Sequence, residues 1–252
     1  SGHARAPRPR NHEQHPCRTL IGMGNSAALD DLPPSFLETI DDPARAALDR
    51  LGVRRRFKPG TTVMAEGESA TRLGIVRCGL VKLTASHPDG YETVLAIRGA
   101  GELIGELSVF DGRARSATIS TLVACEVQFV ESREFHALID EHPGIAVAVI
   151  RTLVGRLRQS DSHRVCFGAD GVGTRLAREL LQLADQHGDV LPDGTIHINL
   201  PFTQDDLAGV VSASRDAVAR ALKTWRAQGL VATGRRRIEL LDPAALSRQY
   251  RL

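Results

Sequence analysis

The stretch Thr203-Gln204-Asp205-Asp206-Leu207-Ala208-Gly209-Val210-Val211-Ser212-Ala213-Ser214-Arg215-Asp216-Ala217-Val218-Ala219-Arg220-Ala221-Leu222-Lys223 decides the architecture. Its apolar spacing predicts two short helices joined by a tight turn. Leu207, Ala208 and Val211 line the inner face of the first, and Val218, Ala221 and Leu222 that of the second. Arg215 and Arg220 are left outward, as when a helix-turn-helix offers its second helix to the major groove of a duplex. Downstream, Leu230-Val231, a turn at Thr233-Gly234 and Ile238-Glu239-Leu240 predict a small β-wing. The formal net charge is only +2, so any nucleic-acid contact must draw on local positive charge such as Arg235-Arg236-Arg237.

Upstream the pattern changes twice. Residues 174–186 place Leu176, Leu180 and Leu181 at helical spacing, and a weak ribbon follows around Pro192-Asp193-Gly194 and Ile196-His197-Ile198. A long helix is expected over about residues 144–163, followed by a hinge at Phe167-Gly168-Ala169-Asp170-Gly171. Val147, Ile150, Val154 and Leu157 recur along it three or four apart, with Val149 and Leu153 widening the stripe. Two readings of that stripe stay open. It packs on the neighbouring domain, or, as its length and the charged run 156–164 favour, it pairs with the same helix of a second chain.

From 54 to about 132 the chain breaks into short strands and turns. Phe57-Lys58-Pro59-Gly60-Thr61-Thr62-Val63 reads as strand, turn, strand; residues 73–83 read as two strands around Gly79; His87-Pro88-Asp89-Gly90-Tyr91 reads as a hairpin turn. Further strands fit 93–97, 117–120 and 125–130, and a short helix over 133–139 ends before His142-Pro143. Many short strands with glycine turns favour a barrel or jelly roll over an α/β fold. A helix led by Asp42 as cap, with Pro43 in its first turn, precedes them. The expected class is α+β: a flexible arm over 1–30, a β-roll over 31–142, a long helix and hinge over 143–168, and a winged helix-turn-helix over 169–252.

Composition narrows the function. Charged residues make up 25% and apolar residues 42% of 252, ordinary for a globular chain able to bury two modest cores. Cys17, Cys78, Cys125 and Cys166 are too scattered for a metal site or a disulfide scaffold, and Cys78 and Cys125 sit in strand contexts that suit buried thiols. No run approaches a membrane span and no secretory signal is evident, so a cytoplasmic location is expected. No paired carboxylates, metal cluster or nucleophile beside a base stand at a credible spacing, and His142 and His163 read as solvated, so an enzyme is not expected.

The second dense motif is Gly101-Glu102-Leu103-Ile104-Gly105-Glu106-Leu107-Ser108-Val109-Phe110-Asp111-Gly112-Arg113-Ala114-Arg115-Ser116-Ala117-Thr118. Gly105 lets backbone amides approach an anion, Arg115 presents a fork of charged donors to a phosphate, and Ser116 adds a hydroxyl. Glu106 cannot hold a phosphate but can accept from a ribose hydroxyl. The residues alone also allow Glu106 and Arg115 to form a structural ion pair closing a surface loop.

With these features in this order, the chain resembles the cyclic AMP receptor protein and fumarate-nitrate regulator superfamily of bacterial transcription factors, over about residues 37–241. The resemblance implies an amino-terminal cyclic-nucleotide-binding β-roll, a long dimerisation helix and a carboxyl-terminal winged helix-turn-helix. It implies that Glu106 contacts ribose, that Arg115 and Ser116 hold the cyclic phosphate with backbone help around Gly105 and Leu107, and that Arg156 lines the pocket. Adenine would meet Ser160 and Asp161, one of them from the second subunit. Asp161 departs from the family's second hydroxyl, which leaves cyclic GMP or a cyclic dinucleotide open beside cyclic AMP. The oxygen- and haem-sensing members are poorly matched, since Cys17 alone supplies no cluster and no histidine stands beside Cys78.

On the DNA side the resemblance assigns base reading to Arg215, Asp216 and Arg220. Thr203, Gln204, Ser212 and Ser214 suit phosphate contacts, and Arg235 and Arg236 suit the adjacent groove. The implied partners are double-stranded DNA, a second copy of the chain and RNA polymerase. The implied effector is cyclic AMP, with no further cofactor. The alternative is a constitutive DNA-binding regulator whose roll is structural or takes another effector.

Overall fold

The computed structural model describes residues 34–86, 92–198, 202–234 and 237–250, with the side chains of 162–169, 186 and 187 outside the description. The expected arm, the turn at 87–91, and Arg235 and Arg236 lie outside the described residues. Two short helices come first, α1 (Phe36–Thr39) and α2 (Asp42–Asp49). The cap of α2 is Asp41, one residue before the expected Asp42: its Oδ1 accepts from the Ala44 amide at 2.8 Å. The acceptor must sit three residues before that amide.

Two four-stranded antiparallel sheets follow. β1 (Val53–Phe57), β8 (Cys125–Glu131), β3 (Arg72–Cys78) and β6 (Leu103–Ile104) lie side by side in one. β2 (Thr62–Met64), β7 (Thr118–Thr121), β4 (Val81–Ser86) and β5 (Glu92–Arg98) form the other. Val63, Met64, Val76, Ile104, Ile119, Val127 and Phe129 fill the space between them. β3 shows no clean alternation because both its faces are covered: Val76 points into the roll, while Leu73 and Ile75 join a second cluster under the helices. Between β6 and β7 comes α3 (Leu107–Asp111), which was not expected.

The second cluster fixes the long helix. α4 (Ser132–Glu141) leads into α5 (Gly144–Ala169), whose Ile145, Ala148 and Val149 are buried with Phe36, Phe135 and Val109, with Leu153 packed against them. The stripe read from sequence is therefore two faces. Val149 and Leu153 belong to the inner one, whereas Val147, Ile150, Val154 and Leu157 are 47%, 59%, 44% and 61% exposed. Packing on the roll does not account for the outer face. The helix also runs six residues beyond the expected 163, so that Phe167, Gly168 and Ala169 are helical and only Asp170 and Gly171 separate it from α6 (Val172–His187).

The carboxyl-terminal module comprises α6, β9 (Asp189–Val190), β10 (Ile196–Ile198), α7 (Gln204–Val210), α8 (Arg215–Ala227), β11 (Val231–Gly234), β12 (Arg237–Leu240) and α9 (Pro243–Tyr250). Thr233 and Gly234 pair with Ile238 and Arg237, so they extend a wing strand rather than form its turn. Trp225 is fully buried and its Nε1 donates to the Tyr250 hydroxyl at 2.9 Å, which ties α9 to α8. The core of this module continues into the roll through Leu80 and Leu122. α7 lies along β5, and Lys82 Nζ donates to Asp206 Oδ1 at 2.6 Å across the boundary. Among the described residues no helix is long and apolar enough to cross a membrane.

Glu179, on the flank of α6, is held largely out of water, and burial pushes its carboxyl up to about 7. Its folded value lies above the ordinary one, so ionisation opposes folding and stability falls as pH rises from 4.5 to about 7. Glu179→Gln is expected to flatten that fall and to stabilise the protein by about 1–3 kcal/mol above neutrality. Denaturant titrations across pH check this; an unchanged pH profile contradicts it.

Candidate effector pocket and DNA-reading face

The candidate effector end is built where β6 turns into α3. Gly105 takes φ +68°, and a Cβ there would lie 2.5 Å from Arg115 Nη1 and 2.6 Å from Met64 Sδ. Glycine is thus required both by the turn and by the closeness of Arg115. The Arg115 backbone is pinned to the loop before β3, its amide donating to Glu68 O and its carbonyl accepting from Gly67 N, each at 2.9 Å. Its guanidinium is buried and donates to the carbonyl oxygens of Gly105 and Arg72. Burial first, and then the neighbouring Arg72 charge, push its pKa below that of an ordinary guanidinium. An anion brought to it would relieve that penalty.

Glu106 is 4% exposed, yet it does not close onto Arg115. Its Oε1 accepts from Arg156 Nη1 at 2.6 Å, and Arg156 Nη2 donates to Leu103 O at 2.8 Å. A single side chain of α5 therefore grips the edge of the cassette. Of the two readings of Glu106 and Arg115, the loop-closing ion pair is not the one observed.

Two residues not anticipated complete this end. Glu102 Oε1 stands 3.6 Å from Arg156 and 3.4 Å from Arg98 Nε. Its Oε2 accepts from the Gly99 amide at 2.7 Å. Arg98 donates from Nη1 to Ile97 O, but among the described residues its buried Nε makes no hydrogen bond. Desolvation, followed by the Arg156 charge, lowers the Arg98 pKa. A largely buried arginine directly after the apolar run Leu95-Ala96-Ile97 carries no sequence motif, so nothing in the pattern signals it.

Leu107 opens α3 and is 48% exposed, and Ser116 is exposed beside Arg115. Ser160 and Asp161 are also exposed, one turn beyond Arg156 on α5. Cys125 is buried and its thiol is pushed up to about 11, as befits an inert core group. Cys78 is half-buried.

At the other end, α7 and α8 are held at a fixed turn. Thr203 caps α7, accepting from the Asp206 amide at 3.0 Å while Asp206 Oδ2 accepts from Thr203 N and Oγ1 at 2.9 and 2.8 Å. Burial opposes the Asp206 charge, but the donors from Lys82 and Thr203 outweigh it and hold the carboxyl below its ordinary range. In the turn, Ser212 has φ +48°, and Arg175 from α6 donates to the carbonyls of Val211 and Ser212 at 2.9 and 3.3 Å. Arg175 is a positioning residue that the helical spacing of α6 did not single out. Ser214 caps α8, accepting from the Ala217 amide at 3.2 Å.

Val218, Leu222 and Trp225 anchor α8, which leaves Arg215, Asp216, Arg220 and Lys223 exposed along one side, with Gln204, Ser212 and Ser214 exposed beside them. Arg215 Nε lies 3.9 Å from Asp205 Oδ1 with both side chains mostly in water, a contact too weak to withhold it from a duplex. Arg237 of the wing is paired with Glu239 at 2.6 Å.

Comparison with known proteins places two family profiles on the chain. The cyclic nucleotide-binding domain profile matches residues 54–142, and the Crp-like helix-turn-helix domain profile matches residues 174–249. The chain is 31% identical over 216 residues to a CRP-like cAMP-activated global transcriptional regulator of Mycobacterium tuberculosis, covering 86% of this chain and 96% of that one. Among solved structures, the c-di-GMP-responsive global regulator CLP of Xanthomonas campestris superposes with a TM-score of 0.70 at 26% identity, over 80% of this chain and all of that one. A CRP-family transcriptional regulator of Thermus thermophilus gives 0.67 at 29% identity, over 79% and 97%.

Proposed function

The chain belongs to the cyclic AMP receptor protein and fumarate-nitrate regulator superfamily of bacterial transcription regulators, and we propose that it acts as a homodimer that reads pseudopalindromic DNA under the control of cyclic AMP. Membership makes it a DNA-binding transcription factor with a cyclic-nucleotide-binding fold, not an enzyme. The finer reading is supported above all by Arg115: a buried guanidinium, its charge disfavoured where it stands, beside the open backbone turn at Gly105. A cyclic phosphate supplies the missing negative charge, with Ser116 and the turn before Leu107 adding donors. Glu106 offers its second carboxylate oxygen to a ribose hydroxyl while Arg156 holds the first.

The exposed apolar face of α5 supports two-fold pairing, since Val147, Ile150, Val154 and Leu157 follow a coiled-coil seam. Pairing there brings Ser160 and Asp161 of two helices together, where they close the base end of the pocket. The same symmetry sets two copies of α8 about 34 Å apart, one turn of duplex. Arg215 and Arg220 then reach guanine edges and Asp216 a cytosine amino group, with Thr203, Gln204, Ser212, Ser214, Arg235 and Arg236 at phosphates. RNA polymerase is the partner such a dimer addresses. The carboxylate at Asp161, and a c-di-GMP-responsive relative of this fold, support a second reading in which the effector is a cyclic dinucleotide.

Arg115→Leu is expected to weaken cyclic AMP binding about 100-fold, the loss of hydrogen bonds to a charged group, with the fold intact. Calorimetry reads this, and unchanged affinity contradicts the assignment. A screen including cyclic GMP and cyclic di-GMP separates the two readings. Ile150→Asp with Leu157→Asp is expected to convert the dimer to monomers in sedimentation experiments; a parent protein that is monomeric both alone and on duplex DNA overturns the two-fold account.

A further inference from the structure

The non-reading helix of the DNA module rests on the roll of its own chain. α7 crosses β5 so closely that a Cβ on Gly209 would lie 2.8 Å from the Val94 nitrogen. Nothing compressible separates helix backbone from strand backbone at that point. Ile97 and Val123 of the roll pack against the same apolar cluster as Leu207, Ala208 and Val211. At the edge of this contact Lys82 Nζ meets Asp206 Oδ1 at 2.6 Å, with Asp206 almost wholly buried. Asp206 therefore does two things, capping α7 through Thr203 and tying it to the roll.

The strand carrying this seat is also wired to the effector end. Ile97 pairs with Lys82 in the β4–β5 ladder, and the next residue, Arg98, pairs with Val81. Arg98 faces Glu102, Glu102 faces Arg156, and Arg156 holds Glu106. A ribose hydroxyl donating to Glu106 weakens that carboxylate's hold on Arg156. Arg156 then leans to Glu102, and Glu102 gives up part of its attraction for Arg98. Among the described residues the buried Nε of Arg98 has no hydrogen-bond partner, and beside Glu102 its guanidinium is held by the Nη1 bond to Ile97 O. Because Arg98 Nη1 donates to Ile97 O, a shift of Arg98 bears on the strand that pairs with Lys82 and carries Val94.

We propose that the seat of α7 on β5, fastened by Lys82 and Asp206, is an autoinhibitory contact which nucleotide binding releases through the chain Glu106, Arg156, Glu102, Arg98. The proposal rests on the functional reading above and specifies its control. While seated, each reading head is tied to its own roll, so any repositioning that a two-fold duplex demands must first break the Lys82–Asp206 and Gly209–Val94 contacts. Release requires no change in the reading residues, which are exposed while α7 is seated.

Two variants open the seat without touching the effector residues or the cap. Gly209→Ala forces α7 off Val94 and, as alanine in a helix, favours the module's own fold. Lys82→Gln removes the tie from the roll side. With no nucleotide present, each is expected to bind a duplex selected by the protein from a randomised library about tenfold more tightly than the parent, as read by fluorescence anisotropy. By reciprocity, each binds cyclic AMP more tightly by a similar factor in calorimetry, a gain that a merely structural defect does not produce. The double variant gains no more than either alone, because both open one contact. A parent that binds cyclic AMP and duplex, with variants no tighter than it for either, overturns the seat. A parent that binds neither overturns the functional reading instead.

Discussion

A single helix has to serve two faces at once, and the rest of the structure follows from that constraint. The inner face of α5 enters the roll through Ile145, Ala148 and Val149 and then, two turns on, reaches the cassette through Arg156. Its outer face carries Val147, Ile150, Val154 and Leu157 into solvent. Burial of the first set holds the helix to its own domain, and exposure of the second leaves it available to a second copy. Whatever moves Arg156 therefore bears on both the pocket and the pairing surface.

The electrostatics at the pocket suit a switch more than a rigid support. Arg98, Glu102, Arg156 and Glu106 alternate in charge along a line of contacts, and desolvation penalises one arginine of this line, Arg98, as it does Arg115 nearby. Buried ion pairs contribute little net stability but strongly oppose the loss of one partner. A ligand that offers a phosphate to Arg115 and a hydroxyl to Glu106 satisfies groups that the protein alone leaves poorly matched. Differential satisfaction of that kind is the source of any population shift.

The helix-turn-helix was legible because Leu207, Val211, Val218 and Leu222 mark two inner faces at helical spacing, and the structure buries each of them. Most strands of the roll were legible from their turns. β6 and α3 were not: one is two residues long and the other five, too short for any period, and both are set by the positive φ of Gly105 and Gly112. The cassette residues Glu106 and Arg115 could be picked out by type, but not their partners. That Glu106 meets Arg156, fifty positions later, and not Arg115, follows from where α5 lies on the roll. The split of the α5 stripe into two faces, and the contact between Lys82 and Asp206, are likewise tertiary facts with no local signature.

The coupling of pocket to reading head through Arg156 can be measured directly as the affinity for a selected duplex with and without saturating cyclic AMP, in the parent and in Arg156→Met. The account predicts that the nucleotide tightens DNA binding about tenfold in the parent and leaves the variant unchanged. The same tightening in both proteins would contradict it.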